Sequence, residues 1–393
     1  MGGSSVYRER FEATLNHQAV DRYPIDLGGT ALSTIETGPP AEGLAAFLGF
    51  EGGAPADYDK LDRRILEHWD VDFRRCGNIA PFTTKHNERV SDTEFVDCFG
   101  IHHRYSGMYW ELVGGPLYGA SIDDVRSYEF PTLEEMQLDQ VEDWERRGRA
   151  LREDTPYVVV GDHPVFGVLE LACWLCGYEH LMMMLALEPE FIHLLFGRIL
   201  EFQKMAIREY YGRLGRHLHL TTSGDDFGTQ QGLFISAAMW RESVKPYMKE
   251  RIEYTARFTD AVYLHHSCGA IFEIVPDLAA IGVRILNPIQ PAAAGMDPQG
   301  LKETYGAQVV FHGGLDTQHV LPSNNPAVIR GAVEHLLEVM HPWVDGGYIF
   351  APAHNIQADV SPGAVATMYD SVHDVLSRCA RPGGGCQPLL RGP

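Results

Sequence analysis

At 393 residues, with 45% hydrophobic, 10% aromatic and 22% charged residues, the chain has the composition of a globular enzyme, and global disorder is excluded. Its 53 acidic against 32 basic residues give a formal charge of −21, which argues against nucleic acid or an anionic membrane as partner. Seven cysteines without regular spacing point to a reducing compartment rather than a disulfide framework.

Met1-Gly2-Gly3-Ser4-Ser5-Val6-Tyr7-Arg8 leads straight into charged residues with no secretory pattern, so the expected location is the cytoplasm. Tyr7 to His17 has helical spacing, and Asp21–Leu27 reads as a short first strand followed by Gly28-Gly29. Residues 30–130 are less regular: a helix near Asp59–Trp69, then strand-like pieces at Glu94–Phe99 and Ile101–Leu112. This region reads as loops and insertions covering one end of a barrel. From residue 130 the pattern is regular. A charged helix (Leu133–Glu153) precedes the strand Tyr157–Val160, which ends at Gly161-Asp162-His163. Helices at about 167–187 and 188–213 lead to the strand Leu218–Thr222, closing in Ser223-Gly224-Asp225-Asp226. The apolar run Val165–Leu187 is broken by Glu170, Gly177, Glu179 and His180, so it reads as a buried helix, not a membrane span. Then follow helix Ala238–Phe258, strand Ala261–His266, helix Ile271–Ile281, strand Val283–Leu286, helix Pro298–Tyr305, strand Gln308–Phe311, helix Pro326–Met340, strand Tyr348–Phe350 and a last helix, about Pro362–Arg378.

Strand and helix alternating on this spacing give parallel β/α units. With the first strand near Ile25, they suffice for a (β/α)8 TIM barrel in one domain, residues 1–379, followed by a loose Gly/Pro-rich tail, residues 380–393. An open doubly wound sheet is the alternative, but no glycine-rich nucleotide loop supports it.

In such barrels the chemistry sits at the carboxyl ends of the strands. Those ends hold Asp162 and His163, Asp225 and Asp226, His266 and Cys268, Asn287 and Gln290, His312 and Asp316, and His354. His266 and Cys268, two residues apart on a strand, point to one face, and imidazole with thiolate suits zinc. The alternative is a buried thiol with a histidine capping the next helix. His354, in Ala351-Pro352-Ala353-His354-Asn355-Ile356-Gln357, is the candidate third ligand, or a histidine bonded within a turn. Asp225 and Asp226 are candidates for acid–base work, or for capping the next segment. Asp162, Asn287, Gln290, His312 and Asp316 are candidates for substrate contact. Cys173 and Cys176 have redox spacing but lie in an apolar helical run and read as core. His102-His103 reads as a surface or rim pair, and Tyr105, Tyr109 and Trp110 as pocket lining or packing under a loop.

The motifs Arg10–His17 with Asp21-Arg22-Tyr23-Pro24, Gly224-Asp225-Asp226-Phe227-Gly228-Thr229-Gln230, His266-Ser267-Cys268-Gly269, Asn287-Pro288-Ile289-Gln290, Gly295-Met296-Asp297, Leu301-Lys302, Phe311–Gln318 and Ala351–Gln357 occur in one order. In them the chain resembles the uroporphyrinogen decarboxylase superfamily, from about Arg8 to Val375. The resemblance implies the (β/α)8 fold. True uroporphyrinogen decarboxylases are cofactor-free and clamp substrate carboxylates with an Arg-Gln-Ala-Gly-Arg-Tyr motif; here Asp26-Leu27-Gly28-Gly29-Thr30 stands in that neighbourhood. The other branch consists of zinc-dependent methyltransferases that work with corrinoid proteins and bind zinc through a His-x-Cys pair and a later cysteine. His266 and Cys268 match that pair, and His354 stands where the later cysteine would be.

The resemblance therefore implies Zn²⁺ on His266, Cys268 and His354. The implied reaction moves a methyl group between a small substrate, such as a methyl ether, and a corrinoid supplied by a separate partner protein. No Asp-x-His-x-x-Gly corrinoid-binding run is present in this chain. The alternative is a decarboxylase or other lyase acting on a small carboxylate, with Arg22, Arg104 or Lys302 supplying the cation. Nucleic acid and membrane are not expected partners; a homo-oligomer is compatible with the sequence.

Overall fold

The computed structural model describes residues 5–35, 39–52, 61–77, 87–107 and 110–379. The tail 380–393, Tyr109 and the start of the helix expected from Asp59 lie outside the described residues. The strands are β1 (Phe73–Arg75), β2 (Glu88–Arg89), β3 (Glu94–Val96), β4 (His102–Tyr105), β5 (Trp110–Gly114), β6 (Val158–Asp162), β7 (Leu220–Gly224), β8 (Val262–His266), β9 (Ile285–Asn287), β10 (Val310–His312) and β11 (Tyr348–Ile349). Seven of them form one parallel sheet in the order β1-β6-β7-β8-β9-β10-β11, while β2–β5 make a separate antiparallel sheet within the N-terminal insertion.

Inward positions show how the parallel sheet curls. Phe73, Val158, Val160, Leu220, Leu264, Ile285, Val310 and Ile349, drawn from all seven strands, make one apolar cluster, and Phe11 and Leu15 of helix Val6–Leu15 join it. Side chains alternate along a strand, so the residues between these face the outer helices and a second, larger core. The expected eighth strand is not a regular one. Residues 24–26 stand between the sheet's two edges on isolated bonds: Ile25 bridges Phe350, and the Asp72 amide donates to the Ile25 carbonyl at 3.0 Å.

Three departures from the expected elements have local causes. β1 carries no strand signal in the sequence because two of its three residues are arginines. Both are buried: Arg74 stacks 3.7 Å over the Tyr157 ring and Arg75 pairs with Asp162. The long apolar helix is two, Val168–Cys176 and Tyr178–Leu187, bent by 113° at Gly177, whose φ of +81° no helix tolerates. Among the described residues no single helix is long and apolar enough to cross a membrane. Helix Ala238–Phe258 divides into Ala237–Ser243 and Lys245–Thr255, the second beginning with Pro246 in its first turn.

Candidate functional site

Each strand that carries an inward apolar residue offers its next inward position two residues later. On six of the seven strands that position is polar, and on three neighbours it brings in the site: Leu264 is followed by His266, Ile285 by Asn287, and Val310 by His312. The register pairs His266 with Asn287 across β8 and β9. The site is thus the layer above the apolar core, at the carboxyl ends of the strands.

This layer is hydrogen-bonded throughout. The His266 Nδ1 lies 2.5 Å from the Asn287 Oδ1, and the Asn287 Nδ2 lies 2.7 Å from the His312 Nδ1. The His312 Nε2 is 3.0 Å from the Asp26 Oδ2. Asp26, buried on the segment after Ile25, also accepts from Thr30 Oγ1, Ser33 Oγ and the Gly29 amide. Gly29 is required there, since a Cβ would stand 2.3 Å from the Phe73 Cβ.

Beyond β8 the chain is pinned from three sides. The Cys268 amide donates to Asp226 Oδ1 at 2.7 Å and the Gly269 amide to Gln290 Oε1 at 2.7 Å. Ser267 Oγ accepts from the Phe227 amide. The Cys268 Sγ then rests 3.3 Å from the His266 Nε2. His354 approaches from the loop after β11, its ring centroid 5.4 Å from that of His266. One ligand atom each from His266, Cys268 and His354 lies within 4.8 Å of the others. Tetrahedral zinc, with bonds of about 2.0–2.3 Å, separates its ligand atoms by roughly 3.3–3.8 Å. The donor set and its spacing therefore fit such an ion with a small contraction.

Burial, with the charges of Asp226 and Glu170, pushes the Cys268 thiol well above its ordinary range. Burial and the His266 charge push His354 down to about 4, leaving its ring neutral at ordinary pH. The His354 Nδ1 accepts the Asn355 amide proton at 2.8 Å. In a neutral ring that places the proton on Nε2. Ligation through Nε2 requires that this backbone contact be given up.

A cavity of about 540 Å³ opens beside this triad. Of the predicted site residues, Cys268, His354, Gln290 and Asp316 line it, joined by Gln357 and Asp359. Asn287, His312, Asp162 and Asp225 are buried and do not line it. Asn287 and His312, expected to touch substrate, are fully buried and bond to each other. Asp162 pairs with Arg75 and accepts from Thr222 Oγ1. Asp225, expected as an acid–base group, accepts from the Leu169 and Glu170 amides and so caps the helix Val168–Cys176 from another element. Gly167 makes room for it: a Cβ there would meet the Asp225 carboxyl at 1.9 Å. Asp226 stays at the site, 3.8 Å from the His266 Nε2 and partly exposed.

Other expectations are corrected by contacts. His103 is buried on Asp97, not on a rim. Tyr105 and Trp110 pack against each other with tilted rings on the exposed antiparallel sheet and do not line this cavity. Cys173 and Cys176, by contrast, are the buried core thiols expected. Arg22, Arg104 and Lys302, the cations a carboxylate substrate would need, pair with Asp70 and Asp72, with Glu94 and with Asp345. Sequence reading passed over Asp26 and Glu170. Asp26 carried one signal, its place at the end of the first predicted strand. Glu170 shows as one of two carboxylates in an apolar run, and burial, then Asp226 and Asp225, hold its carboxyl well above the usual range.

No curated protein matches the chain. Among solved structures, a methyltransferase from Methanosarcina mazei overlays with a TM-score of 0.65 at 16% identity, covering 94% of this chain and 98% of that one. Xylanase 10B from Thermotoga maritima overlays with a TM-score of 0.37 at 9% identity, over 63% of this chain and 82% of that one. The uroporphyrinogen decarboxylase (URO-D) family model matches residues 121–375, more than half of the sequence and every strand from β6 to β11. The chain belongs to the uroporphyrinogen decarboxylase family.

Proposed function

We propose that this protein is a methyltransferase on a (β/α)8 barrel, residues 24–26 serving as the eighth stave. It holds Zn²⁺ on His266, Cys268 and His354, and moves a methyl group between a small substrate and a corrinoid carried by a separate protein. The observation that carries this reading is the convergence of three metal-binding atoms within 4.8 Å at the edge of an open cavity. The zinc would act as a Lewis acid with one position left for substrate oxygen or sulfur. Two imidazoles and one thiolate leave the site less negative than one imidazole and two thiolates, which favours an oxygen substrate such as a methyl ether.

The chain's own groups divide the remaining tasks. Cys268 keeps its proton without metal, because burial and two nearby carboxylates disfavour the thiolate, so metal uptake must release a proton. Asp226, bonded to the Cys268 amide and near His266, is placed to receive it. Gln290 fixes the turn after Cys268, and Gln357 and Asp316 present polar atoms to the substrate space. The lyase alternative is disfavoured, since its three candidate cations are all engaged elsewhere in ion pairs and the cavity wall brings carboxylates instead.

The test is elemental analysis of purified protein and of Cys268→Ala, followed by methyl transfer to a free cobalamin. About one zinc per chain, lost in the variant, with transfer that requires cobalamin, is the expected result. Turnover of a carboxylate by the protein alone would replace this reading with the lyase.

A further inference from the structure

We propose that Asp26, His312 and Asn287 are positioning residues that act as one directed hydrogen-bond relay. Through it the proton of His266 is held on Nδ1, and Nε2 faces Cys268 as a bare lone pair. The inference rests on the metal reading for its purpose, though not for its geometry.

Each link has one direction. A carboxylate only accepts, and Asp26 takes Thr30, Ser33 and the Gly29 amide besides the His312 ring, so the His312 Nε2 donates. A neutral ring with its proton on Nε2 has a lone pair on Nδ1, which accepts from the Asn287 Nδ2. That bond orients the amide and turns the Asn287 Oδ1 to His266, whose Nδ1 must then donate. The His266 Nε2 is left as an acceptor, 3.3 Å from the Cys268 sulfur, where a metal would be bound.

Two further observations separate this arrangement from ordinary core polarity. All three relay residues are fully buried, so none can serve as a substrate contact. His354, the other histidine at the site, has no such support among the described residues: its Nδ1 accepts a backbone amide, the opposite arrangement. The relay thus marks His266 as the histidine built to bind metal first.

The test has two readouts. Metal-free protein labelled with ¹⁵N-histidine reports the His266 tautomer directly, the signal being assigned with His266→Gln. Zinc affinity follows from competition with a chromophoric chelator. Wild type is expected to carry the His266 proton on Nδ1. His312→Phe should release that preference and weaken zinc binding about 10–100-fold, the range for loss of an outer-shell partner. His312→Gln, whose amide offers one donor to Asp26 and one acceptor to Asn287, should restore most of the affinity. Asn287→Ala provides a second break should His312→Phe fail to fold.

A wild-type His266 protonated on Nε2 overturns the relay without any variant. So does a folded His312→Phe or Asn287→Ala with wild-type tautomer and wild-type affinity. Wild type that binds no zinc, yet shows the Nδ1 proton and loses it in His312→Phe, would overturn the metal reading and leave the relay standing.

Discussion

The two sides of the candidate metal site are built differently. His266 and Cys268 stand on a sheet strand and the turn after it, tied by Asn287, Asp226 and Gln290, with the apolar layer of Leu264 and Ile285 directly beneath. His354 stands on a loop beyond β11, its ring bonded to the neighbouring Asn355 amide. One side is preorganised and the other must rearrange to ligate. In the proposed metal site, affinity would therefore belong to the strand, and adjustment to the loop.

The largest effect should come from breaking the rigid side. His266→Ala or Cys268→Ala is expected to remove zinc from the purified protein, as read by elemental analysis. Retention of about one equivalent in either variant would end the metal assignment. Next, Leu264→Ala should cost about 2–5 kcal/mol in denaturant unfolding, because it opens a cavity under the His266 layer. The same truncation at Gln357 on the loop should stay within about 0.5 kcal/mol. A comparable loss at both positions would erase the distinction between the two sides.

His354→Ala should weaken zinc binding yet leave it measurable, since two ligands and their outer shell remain; the chelator competition checks this. A complete loss would put the loop on a par with the strand.

The last effect is a pH dependence. Burial raises Asp225 to about 7, the Glu170 and Leu169 amides and Arg251 opposing the rise while the Asp226 charge adds to it. Its folded-state pKa lies above its unfolded value of about 3.9, so the native state binds the proton more tightly. The associated stability is full below about pH 4 and is lost as pH rises to about 7. Thermal melts of Asp225→Asn across this window should show a flatter profile than wild type, and an equal slope would assign that dependence to other groups.

Much of this was legible in the sequence because apolar runs of the right length alternate with helical periods after residue 130. Polar residues gathered at the strand ends for the same reason: alternation continues past the core, and His266 follows Leu264 just as His312 follows Val310. Strand β1 was hidden because Arg74 and Arg75 look like loop residues until their buried partners are known. The division of labour at the site was hidden for a related reason. Residue type marks Asp225 as a possible acid, but only its neighbours show it capping a helix. Asp26 meets His312 across 286 residues of chain, a pairing that no local pattern records.

The bonds of residues 24–26 also bear on the order in which the molecule is made. Ile25 lies in one of the first segments to be translated, but its partner Phe350 lies in one of the last. Early in synthesis the segment can already bond Asp72, whose carboxylate takes the Ile25 amide together with Arg10 and Arg22. Its other edge stays unpaired until some three hundred residues later, a non-local contact of the kind that slows folding. The Asp26 carboxylate is carried to His312 by that same late docking, so the hydrogen-bonded support of His266 is completed only when the last strand reaches a segment made at the start.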